Sequence, residues 1–221
     1  MKATLSGHAR LLIGLTGTYC AGKNHVAALL EARGFPVLDV DTLGHEALEL
    51  ERERILMRFG TGILGKDGRI DRRLLGVEVF GSPAALAWLE SVVHPRANRL
   101  TEAWIDRHAD HSCVINAALL HRSSIFHRLD GILVVRAPVL IRLLRARKRD
   151  ALPWGELIRR FKSQREFMAK YLQKPADTYS IINRGYGRFG SAFLKRSLER
   201  QLEAALTRLG RVQDVYLAAE K

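Results

Sequence analysis

Gly14-Leu15-Thr16-Gly17-Thr18-Tyr19-Cys20-Ala21-Gly22-Lys23-Asn24 is the stretch that decides how this chain of 221 residues folds. Residues 17–23 fit G-x-x-x-x-G-K, the pattern of a phosphate loop, which has meaning only between a buried strand and a helix. Both flanks comply. Upstream, Leu11-Leu12-Ile13-Gly14-Leu15 is apolar without alternation, as suits a strand buried on both faces of a parallel sheet. Downstream, Lys23 to Arg33 reads as a helix with Val26, Leu29 and Leu30 on one stripe and Gly34 as its C-terminal cap. Glycines let the backbone turn its N–H groups inward around phosphate oxygens. The helix N-terminus adds partial positive charge, and Lys23 is placed to reach β- and γ-phosphates. The bland alternative is a glycine turn with an incidental lysine, and the two flanks argue against it.

Working outward, Pro36 to Val40 reads as a second strand, which makes a right-handed βαβ unit. From Thr42 to about Asp110 the chain is helical, charged and punctuated by glycines, an excursion from the sheet. Ser112 to Ala118 and Gly131 to Ala137 read as strands three and four. Pro138 opens a helix ending in the run Arg142, Arg145, Arg147, Lys148, Arg149, Asp150. Another helix is expected from about Pro153 to Gln173, a last strand from Tyr179 to Asn183, and a final helix capped by Ser191, with Leu194, Leu198, Leu202, Leu206 and Leu209 at helical spacing. Strands alternating with helices give an α/β class: a three-layer, P-loop NTPase-like fold with a parallel sheet core. Residues 1–50, 112–139 and 179–221 are assigned to the core, 51–111 to a helical insertion and 140–178 to a lid.

Composition narrows the partners. Hydrophobic residues make up 47% of the chain, enough for a sizeable core and too many for a disordered one. Lys and Arg total 36 against 23 Asp and Glu, a formal charge of +13, and 27 of the cations are arginine. Arginine grips phosphate oxygens with a planar fork, so the expected partner is anionic. A nucleic-acid-binding module would show a continuous basic stripe with interleaved aromatics; here the arginines cluster at the lid or scatter, so no nucleic-acid partner is expected. Two cysteines, Cys20 and Cys113, are too few for a disulfide framework. No apolar run is long enough to cross a bilayer, and the short N-terminal run reads as a strand, not a signal segment. A cytoplasmic protein with no membrane partner, acting as a monomer, is the resulting expectation.

The candidate site extends beyond the loop. Asn24 stands where a Ser or Thr hydroxyl usually meets Mg²⁺; its amide oxygen can also serve a hard cation, directly or through water. His25 reads as a first-turn helix residue beside it. Asp39 and Asp41 lie two apart at the end of the second strand and would project to the same side, into the crevice that open parallel sheets form beyond their strand ends. Lys23 would share that crevice. A kinase needs a carboxylate there to orient the attacking hydroxyl, and Asp41 is the candidate. Asp39 is left between the acceptor side, a metal-bound water and a structural role, one of the two aspartates being available to cap the next helix. Arg142, Arg145 and Arg149 share one helix face, as a cover for a transferring phosphoryl or as a solvated basic face. Gln164 falls on the apolar stripe of Leu157, Phe161, Met168 and Leu172, where a polar side chain needs a partner.

Taken together these residues resemble the dephospho-CoA kinase family. G-L-T-G-T-Y-C-A-G-K at 14–23 is similar to its G-L-T-G-G-I-G-S-G-K, and V-L-D-V-D at 37–41 to its V-I-D-A-D. F-G at 59–60, D-G-R-I-D-R-R-L-L at 67–75, V-F at 79–80 and W-L-E-S-V-V-H-P at 88–95 resemble its substrate-domain signature. K-P-A-D at 174–177 and I-I-N-R-G at 181–185 resemble its closing motifs. The resemblance implies ATP and Mg²⁺ as cofactors and transfer of the γ-phosphate to the ribose 3′-hydroxyl of dephospho-CoA. It places Asp41 as catalytic aspartate with Lys23 and Arg145, and Gly17, Thr18, Tyr19, Cys20, Ala21, Gly22, Lys23, Asn24 and His25 along the ATP loop. Arg145 and Arg149 fall on lid arginines, Asn183 near adenine, and Asp39, Arg72 and His94 on the substrate side, with Asn24 toward the metal. His94-Pro95 equally suits the start of a helix. One run departs: Ala117-Ala118-Leu119-Leu120-His121 replaces a P-L-L-F-E-like segment, and Asn116 stands where an acid is common. Another small-molecule P-loop kinase, or an impaired paralogue, is the alternative.

Overall fold

The computed structural model describes residues 10–162, 177–185 and 192–219. The chain divides into two compact units, residues 1–38 with 108–221, and residues 39–107.

In the first unit, strands β1 (Leu12–Gly17), β2 (Val37–Asp39), β3 (Cys113–Asn116), β4 (Gly131–Arg136) and β5 (Asp177–Ile182) form one sheet in the order β2-β3-β1-β4-β5. β1 pairs in parallel with β3 and β4, and β4 with β5. The non-alternating run 11–15 is buried throughout because β1 is central. Each such Leu or Ile contributes about 1.5–3 kcal/mol of burial. Helix α1 (Lys23–Glu31) lays Val26, Ala27 and Leu30 on Ile13, Leu15 and Val135, and the last helix, which we call α8 (Ala192–Ala219), adds Leu198, Leu202, Leu206 and Leu209 to the same core. Gly34, at φ +90°, closes α1: its N–H donates to the Glu31 carbonyl (2.9 Å) and Phe35 N–H to the Leu30 carbonyl (3.2 Å). This is the paired bonding of a glycine C-cap. Ser191, Gln164, Met168 and Leu172 lie outside the described residues. Helices α6 (Val139–Asp150) and α7 (Trp154–Lys162) follow β4.

The second unit contains α2 (Val40–Leu50), α3 (Arg52–Phe59), α4 (Arg72–Phe80) and α5 (Pro83–Arg107). Its own core gathers Ile55, Ile63, Ile70, Leu75 and Val79, flanked by an edge-on contact between Phe59 and Trp88 at 5.6 Å. The D-G-R-I-D segment makes a tight hairpin. Asp67 Oδ1 accepts from Arg69 N–H (3.1 Å), Leu64 bridges Ile70, and Asp71 caps α4 by accepting from Arg73 N–H (2.8 Å). That capping bond holds the Asp71 carboxyl below its usual range.

Two sequence expectations are corrected here. β2 stops at Asp39, and Val40 and Asp41 already belong to α2, so the two aspartates do not project side by side from a strand. The reason is capping: Asp39 Oδ1 accepts from Asp41 N–H (3.1 Å), which satisfies an orphan donor of the first turn and starts the helix early. His94-Pro95 does not start a helix either, because Pro95 lies inside the 25-residue α5. Pro95 is exposed, so the carbonyl it leaves unpaired can face water, while Val92, Thr101 and Ile105 keep the helix anchored.

Candidate active site

The chain leaves β1 at Gly17 and is held at once: Thr18 N–H donates to the Val135 carbonyl of β4 (3.2 Å) and Ala21 N–H to the Thr18 carbonyl (2.9 Å). The loop then takes two left-handed steps, Cys20 at φ +57° and Gly22 at φ +89°. Cysteine at such a φ costs about 1–3 kcal/mol of strain, which explains why the resembling motif has glycine there. Lys23 is the first residue of α1, with Asn24 exposed beside it and His25 half-buried in the same turn. Burial, then the positive charges of Arg145 and Lys195, push the His25 pKa below its ordinary value, with Glu199 opposing.

Helix α6 closes on the outside of this loop. Arg142 Nε donates to the Tyr19 carbonyl (2.8 Å), and Arg145 Nη1 donates to the carbonyls of Cys20 (3.1 Å) and Ala21 (2.8 Å). Arg142 and Arg145 are therefore not solvated members of this face, while Arg149 stays exposed. The first two hold loop carbonyls, which satisfies the acceptors that face away from a phosphate-binding concavity. Burial lowers the pKa of both Arg142 and Arg145, but arginine stays charged. Arg149 pairs with Asp150 through two bonds (2.7 and 3.1 Å) and lies 5.1 Å from the Tyr19 ring centroid; the bond to Asp150 is the largest influence on its pKa and raises it further. The Cys20 thiol is pushed up by burial, which outweighs the lowering by Arg149, Arg142 and Arg145, so the neutral thiol is favoured there.

Asn183, just past β5 and buried, completes the enclosure. Its N–H reaches the Arg136 carbonyl (2.7 Å) and Nδ2 donates to the Ala21 carbonyl (3.0 Å). Oδ1 accepts from Arg145 Nη2 (3.2 Å) and Gly185 N–H (3.1 Å). A Cβ on Gly22 would stand 2.3 Å from Asn183 Nδ2, so this position requires glycine for space as well as for φ. The structure thus brings Gly17 through Asn24, Arg145, Arg149 and Asn183 together in the first unit.

The remaining candidates lie in the second unit. Asp41 is exposed in the first turn of α2, where its charge suits the helix N-terminus. Arg72 opens α4 and lines a cleft of about 500 Å³ with His45, Glu49, Lys66, Arg69 and Asp71. His94 is exposed on α5.

For a divalent cation, no group of three or more His, Cys, Asp or Glu side chains is gathered among the described residues. The first unit offers neutral oxygens: the exposed amide of Asn24 and two buried atoms without hydrogen-bond partners, Thr18 Oγ1 and Asn116 Oδ1. Such a set fits a magnesium ion whose charge is matched mainly by nucleotide phosphates and whose shell keeps several waters. Sequence reasoning missed Asp150 as the residue that holds Arg149. Its signal was a carboxylate at a helix C-terminus, the end where the macrodipole disfavours it. No described helix is long and apolar enough to cross a membrane.

Known proteins match this chain over most of its length. The family model described as dephospho-CoA kinase matches residues 11–183. A dephospho-CoA kinase of Treponema pallidum (strain Nichols) is 33% identical over 90% of this chain and 95% of its own length. One of Thermus thermophilus is 35% identical over 90% and 92%. A crystal structure from Thermus thermophilus superposes with a TM-score of 0.71 at 34% identity, covering 90% of this chain and 98% of its own. The dephospho-CoA kinase of Campylobacter jejuni gives 0.63 at 25%, covering 88% and 96%. The chain belongs to the dephospho-CoA kinase family.

Proposed function

We propose that this enzyme transfers the γ-phosphoryl group of ATP to the ribose 3′-hydroxyl of dephospho-CoA, giving coenzyme A and ADP. The observation that carries the reading is the phosphate loop pinned between β4, Asn183 and the arginines of α6, with Lys23 opening the helix behind it. The acceptor oxygen forms the new P–O bond as the bond from the γ-phosphorus to the bridging oxygen breaks, and the hydroxyl proton passes to Asp41. Lys23 stabilises charge on the β- and γ-phosphates, and Arg149 adds a second cation at the loop. Arg145, already engaged with the loop carbonyls, keeps the loop's shape and carries its positive charge close by. Arg72, on a cleft that Lys66 and Arg69 share with Glu49, Asp67 and Asp71, supplies charge for the anionic acceptor, His94 supplies a hydrogen-bonding ring, and Asp39 starts the helix that presents Asp41. Mg²⁺ bound with the phosphates would neutralise charge that develops on their oxygens; Asn24 and Asn116 are the residues that would hold it or its waters.

The test is ATP consumption measured with and without dephospho-CoA, with the product identified by mass and by the position of its phosphate. Consumption that depends on dephospho-CoA and yields the 3′-phosphorylated product supports the reading. Consumption without an acceptor, or phosphorylation elsewhere, overturns it.

Asn24 gives a separate expectation. Asn24→Ala will raise the magnesium concentration needed for half-maximal ATP binding, read by calorimetry across a magnesium series. An unchanged midpoint removes Asn24 from the metal site.

A further inference from the structure

We propose that Tyr19, acting through the Asp150 carboxylate, positions the Arg149 guanidinium against the phosphate loop. The inference rests on the reading of Arg149 as a lid arginine that meets ATP, and it adds a positioning residue that the loop pattern does not require.

Three parts of Tyr19 are engaged by the two lid helices. Its hydroxyl donates to Asp150 Oδ2. Its carbonyl accepts from Arg142 Nε at 2.8 Å. Its ring meets Phe161 of α7 edge-on at 5.6 Å and carries Arg149 at 5.1 Å, while Arg142 stacks on Phe161 at 4.6 Å. Asp150 is the shared member: Oδ2 accepts from both Tyr19 and Arg149 Nη2, and Oδ1 accepts from Arg149 Nε. The Arg149 side chain is 60% exposed and long, so it would sample many rotamers if left alone. Two bonds to one carboxylate, itself held by a hydroxyl of the loop, reduce that freedom and fix the plane of the guanidinium.

Asp150 is the last residue of α6, where a carboxylate opposes the helix macrodipole. Helix stability therefore does not explain it, and its bond to Tyr19 does. The resembling loop motif has isoleucine at the position of Tyr19, which can neither donate a hydrogen bond nor attract a cation to its face. The latch is thus written into this chain's own loop.

Tyr19→Phe removes the hydroxyl and keeps the ring. It should lower kcat/KM for ATP about tenfold, leave KM for dephospho-CoA within about twofold, and leave the melting temperature near that of the parent. Asp150→Asn, which weakens the same latch from the other side, should give a loss of similar size. In an Arg149→Lys background, Tyr19→Phe should cost less than about twofold, because two residues acting through one group do not multiply their effects. A Tyr19→Phe enzyme like the parent, or losses that multiply in the Arg149→Lys background, overturns the latch while the role of Arg149 stands. An Arg149→Lys enzyme with full activity overturns the role of Arg149 and the latch with it.

Discussion

Lys23→Ala will give a folded enzyme whose turnover has fallen at least about a hundredfold. Lys23 is the first residue of α1 and directly follows Gly22, so its ammonium leaves the loop where the β- and γ-phosphates are expected. Removing a charge that strengthens its contact in the transition state costs about 3 kcal/mol or more. The fold should survive, because alanine is the best helix former. The loop is also held by backbone and by Asn183, Arg142 and Arg145, none of which depends on the lysine. The check is steady-state turnover at saturating ATP together with thermal melting. Parent-like turnover would remove Lys23 from the site.

Asp41→Asn should be comparably severe and differently distributed. Asparagine keeps the size and can accept a hydrogen bond, but it loses the charge and basicity with which the proposed base would align the acceptor hydroxyl and take its proton. Loss of a general base typically costs about a hundredfold or more in turnover. ATP affinity should hold or rise slightly. A structural cost also follows, because Asp41 places negative charge in the first turn of α2, a contribution of about 0.3–1 kcal/mol. The backbone bond to Asp39 is untouched, so α2 still starts at its cap. Calorimetric ATP binding measured beside turnover separates the roles. If ATP binding collapses while turnover at saturating ATP survives, Asp41 serves the nucleotide, and the acceptor's base lies elsewhere.

What could be read beforehand follows from how local each signal is. β1, the loop and α1 were legible because an unbroken apolar run, two glycines, a lysine and a 3.6-residue stripe all lie within about two dozen residues. The start of α2 was not legible. Val37-Leu38-Asp39-Val40-Asp41 looks like strand alternation near its end, and only the side-chain bond from Asp39 shows that the helix has begun. Pro95 misled for a related reason: its cost in a helix interior is real, but burial of residues on either side outweighs it. The spacing of Arg142, Arg145 and Arg149 revealed their shared face but not its target, since the carbonyls that Arg142 and Arg145 hold lie more than a hundred residues away in sequence. D-G-R-I-D carried a different lesson. Much of that signature is turn and cap chemistry, with Asp67 and Asp71 engaged by backbone donors, so its presence speaks for a hairpin as much as for a ligand.

The position of the helical unit in the chain also bears on synthesis at the ribosome. Residues 39–107 form one continuous segment with its own core, so every partner that core needs has been made before β3 begins. β1, by contrast, finds its neighbours only when Cys113–Asn116 and Gly131–Arg136 have been made, about a hundred residues later. Short-range contacts form faster than long-range strand pairing. The nascent chain should therefore carry a folded helical unit while β1 still waits, apolar and unpaired, for strands that have not emerged. A released fragment ending near residue 110 and probed by limited proteolysis should show protection over 39–107 and none over 11–34. Protection of both segments at that length would mean that β1 finds cover before its sheet exists.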